Sequence, residues 1–196
     1  FGQEKNVVNA AIAKMNLFLH GASDFNVMQG DTLRDPKILQ GGNIAKFDCV
    51  IANPPFSLEN WGATEWSSDK YKRNIYGTPS DSCGDYAWIQ HMICSMSSGK
   101  GRMAVVMPQG ILFRGNQEAE VRKQLVESNL IEAVVTLGDK LFYGTGLSPC
   151  FLIIRRMKQA HHSGRILMID GSKILTQKRA QNILEENDID LSLIHI

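Results

Sequence analysis

The stretch of sequence that decides the fold is Phe47-Asp48-Cys49-Val50-Ile51-Ala52-Asn53-Pro54-Pro55-Phe56. Its first six residues form a mainly apolar run of strand length, which predicts a buried β-strand. The strand must end at Asn53, because the two prolines that follow fix φ and have no N–H to donate to a sheet. Two acids, Glu4 and Asp31, also follow predicted strands. Polar side chains at three strand ends indicate a ligand site beyond the carboxyl ends of an open α/β sheet.

The residue types after this strand suit the binding of a flat ring that carries an exocyclic amine. The Asn53 side chain and the Pro54 carbonyl can accept the two N–H bonds of such an amine, and this localises a lone pair otherwise delocalised into the ring. Phe56 can stack on the ring, and Pro55 stiffens the turn that aims the oxygens. The alternative is a plain proline turn, although chance gives such a run in roughly one in a thousand chains of this size.

Predicted strands and helices alternate along the chain, with an irregular segment at 57–83 between them. Besides the strand at 47–52, short apolar runs predict strands at 25–29, 102–107, 130–137, 149–155 and 166–169. Helical periodicity predicts helices at 5–19, 84–97, 116–128 and 173–187. This order predicts an open, mostly parallel α/β sheet with helices on both faces. The glycine-rich loop Tyr143-Gly144-Thr145-Gly146 is expected to turn a hairpin between two of the strands.

The composition is that of an ordinary globular domain. The 196 residues are 43% hydrophobic and 21% charged, with a net charge of +1, so any contact with nucleic acid must use local basic patches. Four scattered cysteines predict reduced thiols and a cytoplasmic protein. The sequence contains no membrane-length apolar run. His161 and His162 lack further ligands at useful spacing, so no metal site is expected.

The chain resembles S-adenosylmethionine-dependent N6-adenine DNA methyltransferases, and more narrowly the modification subunit of type I restriction–modification systems. The Asn-Pro-Pro-Phe run alone indicates methylation of an amino nitrogen, and further segments favour the type I subunit. Those segments are Gly2-Gln3-Glu4, Lys14-Met15-Asn16-Leu17, His20-Gly21, Gly30-Asp31-Thr32-Leu33, Asp85, Gln90-His91, 101–108, Leu112-Phe113-Arg114 and 141–146.

The resemblance implies roles for individual residues. Glu4 matches the acid that holds the ribose hydroxyls of S-adenosylmethionine, and Asp31 matches the acid that contacts the adenine amine of that cofactor. Asn53, Pro54, Pro55 and Phe56 match the catalytic tetrad, and Asp85 matches an acid near the substrate. Each acid also has a simpler interpretation: Glu4 as a helix-start acid, Asp31 as a turn residue and Asp85 as a helix cap.

The segment after the motif mixes aromatic and basic side chains, a combination that suits base stacking and phosphate contact. We take Trp61, Lys72 and Arg73 as substrate-side candidates, with a solvated surface loop as the alternative. The resemblance further implies DNA as substrate, together with a separate specificity subunit and a restriction nuclease subunit as partners.

The resemblance covers residues 1–172, which we expect to form a partial, Rossmann-like methyltransferase domain followed by a trailing helix at 173–190 and a doubtful tail at 191–196. The family carries a first strand and a glycine-rich loop that this sequence lacks before Glu4. That strand belongs between the strands ending at Glu4 and Asn53, so a gap with unpaired edges is expected there. Residues 1–196 alone are therefore expected to bind the cofactor poorly.

Two other function classes remain open on the sequence alone. Related Asn-Pro-Pro-aromatic motifs also serve RNA and protein-glutamine methylation. The chain could also be an inactive subunit-contact module that keeps the fold without turnover.

Overall fold

The computed structural model describes residues 1–142, 146–176, 178 and 181–185. The chain begins with strand β1 (Gly2–Glu4), helix α1 (Val7–Leu19) and strand β2 (Val27–Gln29), followed by a small hairpin of β3 (Leu39–Gln40) and β4 (Asn43–Ile44). Helix α1 starts where it does because Asn6 Oδ1 accepts hydrogen bonds from the N–H groups of Val8 and Asn9, at 2.8 and 3.1 Å.

The second part of the chain supplies the main sheet and the helices that cover it. Its elements are β5 (Cys49–Ala52), α2 (Ala63–Trp66), α3 (Asp85–Ser95), β6 (Arg102–Pro108), α4 (Asn116–Glu127), β7 (Ile131–Leu137), β8 (Pro149–Arg155) and β9 (Leu167–Gly171). Short 3₁₀ turns lie at Gln109–Leu112 and Ala160–His162.

The main sheet has five strands in the order β5-β6-β8-β7-β9. Strands β5 and β6 are parallel, as are β7 and β9, while β8 runs antiparallel to both of its neighbours. The predicted mostly parallel α/β sheet with one antiparallel hairpin strand is therefore confirmed. The predicted hairpin is confirmed by the pairing of β7 with β8, although Tyr143, Gly144 and Thr145 lie outside the described residues.

The core lies between this sheet and helices α3 and α4. It contains the buried side chains of Ile89 and Ile93 from α3, Val105 and Met107 from β6, and Leu125 from α4. Strands β6 and β8 are central and buried on alternating positions, which explains why their apolar runs predicted them well. This core fixes the end of β5 against the start of α3, where the polar residues of the site lie.

Strands β1 and β2 form a separate parallel pair, with Gly2 opposite Val27 and Glu4 opposite Gln29. A cleft of about 270 Å³ separates this pair from β5, and both Gln3 and Ala52 line it. Within the described residues no sheet hydrogen bond joins β1 to β5. The cleft lies where the sequence predicts a gap between the strands ending at Glu4 and at Asn53.

The prediction of a fully buried strand at 47–52 is wrong, because one face of β5 is open. Val50 and Ala52 pack against the core, whereas Ile51 on the opposite face is 77% exposed. Helix α3 packs on the core side, and no helix of the described residues covers the side that carries Ile51. The helix at 5–19 is confirmed as α1, but its face with Ile12 and Met15 is also exposed and only Ala10 is buried.

The chain after β9 differs from the predicted helix at 173–187 in the residues that the structure describes. Residues 172–174 form a turn, and Thr176 pairs with Ile183 in an antiparallel bridge. Residues 186–196, which include the expected tail at 191–196, lie outside the described residues. The division into a catalytic part, a trailing segment and a tail stays a prediction.

None of the helices in the described part of the chain combines the length and the apolar character needed to cross a bilayer.

The open face and edge of β5 generate a testable prediction about self-association. Replacing Ile51 with lysine should slow aggregation of residues 1–196 and change the melting temperature little, because an exposed charge on an edge strand opposes strand-to-strand pairing. Light scattering during incubation at a fixed concentration measures this. Met168→Lys is the matched control, since Met168 is 63% exposed on β9 at the other end of the sheet. Equal protection by both variants would show that the β5 edge is not special.

Candidate active site

The Asn53-Pro54-Pro55-Phe56 turn leaves β5 with its acceptor oxygens free. The Asn53 side chain is exposed, and Pro54 is buried against the protein. Across the described residues, neither the Asn53 side chain nor the Pro54 carbonyl takes part in a hydrogen bond. An amide oxygen and a peptide oxygen that are unpaired and adjacent at a strand end can accept from a ligand amine.

Phe56 is half-buried and held from the side. Its ring meets Phe142 edge-on, with centroids 6.3 Å apart and planes at 88°, a favourable aromatic geometry. The next residue, Ser57, adopts a left-handed backbone with φ of 51°. Such a conformation is uncommon for a residue with a side chain, and it persists only where surrounding contacts hold it.

A cavity of about 480 Å³ adjoins the motif and collects two of the predicted cofactor residues. Glu4 from the end of β1, Asp31 after β2 and Pro55 of the motif line it together with Trp88 from α3. The two strand-end acids and the motif are therefore brought to one cavity, although the strands belong to two separate sheets. The indole nitrogen Nε1 of Trp88 is buried and has no hydrogen-bond partner in the described part of the chain.

Asp31 combines a turn role with an exposed ion pair. Its Oδ1 accepts the N–H groups of Leu33 and Arg34, both at 3.1 Å, and its Oδ2 lies 2.9 Å from Nζ of Lys5. Partial burial acts to raise the pKa of Asp31, but the hydrogen bonds from Lys5 and the two backbone N–H groups outweigh it and lower the pKa below its usual range. Asp31 is thus ionised at neutral pH.

Glu4 turns its carboxylate towards the start of α1. Its Oε1 accepts the N–H of Asn6 at 2.7 Å, as a helix-start acid does. The carboxylate also borders the cavity shared with Asp31 and Pro55, so the local role leaves its second oxygen available to a ligand.

Asp85 lies under the motif and faces no cavity. It is fully buried, and its Oδ1 accepts the N–H of Ser57 at 2.7 Å. Its Oδ2 pairs with Nη1 of Arg114 at 2.6 Å and accepts from the thiol of Cys83 at 3.3 Å. The carboxylate therefore binds the residue that follows the motif and cannot contact a substrate directly.

Two of the expected substrate-side residues are interior, and this corrects the expectation. Arg73 is 2% exposed, and its guanidinium donates to Asp69 and to the carbonyls of Thr32 and Leu33 while it stacks over Trp66 at 4.5 Å. Trp61 is also 2% exposed and donates from Nε1 to the carbonyl of Ser80. Both side chains are saturated inside the protein, so neither is available to stack on a base or to meet a phosphate.

Lys72 remains a candidate for contact with a substrate. It is exposed with φ of 55°, beside Lys70 and the ring of Tyr71, which lies 4.7 Å from Nζ of Lys70.

A polar cleft of about 740 Å³ also borders the residue after the motif, and Ser57, Ser80 and Arg114 line it.

Sequence reasoning missed the importance of Arg114, Ser57, Asp69 and Trp88. Arg114 stood inside a segment of the family resemblance, but nothing in its spacing linked it to Asp85, which lies 29 positions earlier. The pairing depends on how the start of α3 packs against the 3₁₀ turn before Arg114, which short-range patterns do not contain.

The remaining reactive groups are inert or scattered. All four cysteines are free, and burial raises the pKa of Cys83 and of Cys150 to about 12. Among the described residues, no three His, Cys, Asp or Glu side chains converge in a way that could hold a metal ion.

His91 is a half-buried, uncharged ring next to Arg73. Burial and the positive charge of Arg73 lower the pKa of His91 to about 3, against the opposing effect of Asp69. Because His91 is uncharged, its Nδ1 can accept the hydrogen bond from Nη1 of Arg73 at 3.2 Å.

This depressed pKa predicts a loss of stability in mild acid. The unfolded chain takes up a proton at His91 near pH 6.5, whereas the folded chain stays unprotonated there. Protonation therefore favours the unfolded chain, and the free energy of unfolding decreases as the pH falls below 6.5. Between pH 6.5 and pH 5 we expect a loss of roughly 1.5 kcal/mol in the free energy of unfolding. Urea titrations of wild type, His91→Gln and His20→Gln test this. Only His91→Gln should reduce the dependence of the free energy of unfolding on pH. An unchanged pH dependence in that variant would contradict the depressed pKa of His91.

Comparison with known proteins agrees with the fold and the motif. The chain is 34% identical over 201 residues to the type I restriction enzyme MjaVII methylase subunit of Methanocaldococcus jannaschii, covering 97% of this chain and 34% of the relative. It is 31% identical to the HindI methylase subunit of Haemophilus influenzae, covering 89% of this chain and 38% of the relative. A crystal structure of a type I restriction-modification system methyltransferase subunit from Streptococcus thermophilus superposes with a TM-score of 0.89 at 30% identity, covering 99% of this chain and 40% of that one.

The chain therefore spans about a third of the length of the curated relatives it matches. The sequence pattern of the N-6 DNA methylase family matches residues 1–193. This match extends over nearly the whole chain and includes the strand ends that carry Glu4, Asp31 and Asn53. The chain belongs to the N-6 DNA methylase family.

Proposed function

We propose that the protein carrying this chain transfers a methyl group from S-adenosylmethionine to N6 of adenine in DNA, as the modification subunit of a type I restriction–modification complex. The observation that carries this proposal is the pair of unpaired acceptors, Asn53 and Pro54, beside a cavity lined by Glu4, Asp31 and Pro55. Family membership and the methylase subunits among the relatives support it.

The cavity next to the motif fits a nucleoside-type cofactor. Glu4 offers carboxylate oxygens to ribose hydroxyls, and Asp31 offers Oδ2 to an adenine amine. The competing ion pair with Lys5 is weak, because the Lys5 side chain is 76% exposed and such surface pairs contribute about 0–1 kcal/mol. Trp88 contributes an aromatic side chain to the cavity wall. When bound there, S-adenosylmethionine supplies an electrophilic methyl group on a positively charged sulfur.

The motif acts on the adenine amine by hydrogen bonding. Asn53 Oδ1 and the Pro54 carbonyl accept its two N–H bonds, which favours the tetrahedral nitrogen with a localised lone pair. Since both oxygens are already unpaired in the free protein, no internal hydrogen bond has to break first. Phe56 stacks on the base, which must leave the duplex to reach the turn. No covalent bond between enzyme and substrate is required, so the activity depends on positioning.

DNA contact outside the base relies on local charge, since the net charge of the chain is only +1. Lys70 and Lys72 lie on the exposed segment after the motif, where they suit phosphate contacts. The described residues form a five-stranded sheet with its helices and two small two-stranded sheets, and they contain no separate module for reading sequence. This fits recognition of the site by a specificity subunit and cleavage by a nuclease subunit.

Substitution of Asn53 tests the proposal directly. In the natural full-length protein with its partner subunits, Asn53→Ala should reduce methyl transfer to unmethylated DNA at least about 100-fold, as loss of an aimed hydrogen-bonding group does. The melting temperature should stay nearly constant, because the Asn53 side chain holds nothing in place. Asn43→Ala is the matched control, an exposed asparagine in the β3–β4 hairpin that should keep wild-type activity.

The same assay separates the competing activities. Tritiated S-adenosylmethionine is offered with unmethylated DNA, with RNA and with protein, and the modified base is identified by mass spectrometry. Transfer to RNA or to a protein amide with none to DNA would replace the proposed substrate. Full activity of Asn53→Ala on DNA would exclude the acceptor role.

Glu4 and Asp31 generate a prediction about affinity. Glu4→Gln and Asp31→Asn should each weaken binding of S-adenosylmethionine by roughly 10-fold, since hydrogen bonds to charged groups contribute about 1.5–3 kcal/mol. Calorimetric titration of the full-length variants measures the dissociation constant. Asp35→Asn is the control, because this exposed acid follows the same turn but does not border the cavity. Unchanged affinity in both test variants would remove these two residues from the binding site.

A further inference from the structure

Two carboxylate–guanidinium pairs hold the two halves of the candidate site, and neither pair lines the cavity that Glu4 and Asp31 share. In one, Asp85 meets Arg114, and in the other Asp69 meets Arg73. The carboxylates are 0% and 6% exposed. Loss of either arginine is costly, because it strands a carboxylate in the protein interior. Arg114 itself is 29% exposed and also lies 3.7 Å from Glu118.

The Asp85–Arg114 pair acts on the backbone that leaves the motif. Asp85 Oδ1 accepts the Ser57 N–H at 2.7 Å, and Nη2 of Arg114 donates to Ser57 Oγ at 3.0 Å. The main chain and the side chain of Ser57 are therefore both held by one ion pair. Because Ser57 has a φ of 51°, these contacts stabilise a left-handed conformation that an isolated serine avoids. The position of Phe56, one residue earlier, follows from that conformation.

The Asp69–Arg73 pair acts on the turn that carries Asp31. Nη1 and Nη2 of Arg73 donate to the carbonyls of Thr32 and Leu33, at 3.0 and 2.7 Å. The opposite side of this turn is held by Asp31 itself, which accepts the N–H of Leu33. Asp69 fixes the guanidinium through Oδ1 and Oδ2, at 2.8 and 3.0 Å. Loss of this pair releases the turn, and with it the direction of the Asp31 carboxylate.

The two pairs share no residue and contact different segments. Asp85 and Arg114 bind Ser57 on the motif side, and Arg73, held by Asp69, binds the carbonyls of Thr32 and Leu33 in the turn after Asp31. We propose that Asp85–Arg114 and Asp69–Arg73 are separate positioning devices, the first for the catalytic motif and the second for the cofactor-binding turn. This inference rests on the proposed methyltransferase function.

Separate positioning predicts that variants of the two pairs affect different kinetic quantities. In Asp85→Asn one of the two acceptor oxygens of the carboxylate becomes an NH₂ group, which is a donor. Since Ser57 and Arg114 both donate to Asp85, one of them loses its acceptor. We expect the single-turnover rate at saturating S-adenosylmethionine to fall about 10–100-fold, since small displacements of a reacting group have effects of this size. The dissociation constant of S-adenosylmethionine should stay within about twofold.

Asp69→Asn should show the opposite pattern. Its dissociation constant for S-adenosylmethionine should rise about 10-fold, while the rate at saturation stays within about threefold of wild type. Both variants lose a buried charge pair, so each is expected to melt at a lower temperature, and both are assayed well below that temperature. Glu132→Gln is the control for an ion pair elsewhere, because Glu132 pairs with Arg155 on the β7–β8 surface.

A rescue experiment separates positioning from general destabilisation. Glycine adopts positive φ without steric cost, so adding Ser57→Gly to Asp85→Asn should recover the single-turnover rate several-fold. Ser57→Ala in the same background removes the same hydroxyl but retains the steric cost, and it should give no recovery. Arg114→Lys keeps the charge next to Asp85 and should lose less rate than Arg114→Gln.

The outcomes distinguish this inference from the function on which it rests. An active wild-type protein in which Asp85→Asn and Asp69→Asn change the same quantity overturns the inference alone. Equal effects of Ser57→Gly and Ser57→Ala overturn the positioning of the motif by Asp85. A full-length wild type that transfers no methyl group to adenine in DNA overturns the proposed function, and this inference with it.

Discussion

The site depends on the turn after strand β5, in which two acceptor oxygens have no hydrogen-bond partner among the described residues. Strand β5 pairs with β6 up to Ala52, and the two prolines then prevent the chain from continuing the ladder. As a result the Asn53 amide and the Pro54 carbonyl lie at the end of the sheet without a partner in the described residues. Unpaired acceptors are unfavourable when they are buried. The Asn53 amide avoids this cost because Asn53 is exposed, whereas Pro54 is buried and its unpaired carbonyl carries it.

The surroundings of the turn compensate for its conformation. Ser57 is strained, and the ion pair beneath it supplies one charged hydrogen bond to its N–H and another to its hydroxyl. Phe142 restricts Phe56 from one edge. The same region therefore combines two acceptor oxygens that have no partner among the described residues with the hydrogen-bonded polar groups of Asp85 and Arg114. A site of this kind reaches its geometry before any ligand arrives, which is the condition for catalysis by aimed dipoles.

The sequence predicted the elements with strong local signals and failed where long-range packing decides. The apolar runs that became β6 and β8 predicted these strands correctly, because their alternate residues are buried in the core and most of the others are only partly exposed. The run at 47–52 looked the same, yet Ile51 is exposed because none of the described helices covers its face of β5. Glu4 and Asp31 were chosen as candidates because each is an acid directly after a predicted strand, where ligands bind in sheets of this kind.

Basic and aromatic residues after the motif were harder to interpret. Composition alone cannot distinguish an arginine that meets a phosphate from one that carries an internal carboxylate, and Arg73 proved to be the second kind. Its partner Asp69 is four residues away, at helical spacing, but the segment there is a turn rather than a helix. The role of Arg114 was equally hidden, because the contact with Asp85 arises only when the start of α3 packs against the 3₁₀ turn at Gln109–Leu112.

The division of the strands between two sheets explains why side chains carry so much of the site. Since β1 and β5 share no ladder in the described residues, backbone hydrogen bonds cannot fix the cofactor side relative to the motif. The irregular segment 57–83 spans that distance instead. Arg34 donates from the Asp31 turn to the carbonyls of Asn60 and Trp61, and Arg73 donates back to the turn. Guanidinium groups suit this task, because a planar group with five donors can bind several carbonyls at once. Arg34 and Arg73 thus join the two halves, together with the packing of Leu33 on Trp61 and Trp66 and the contact of Phe1 with Phe47.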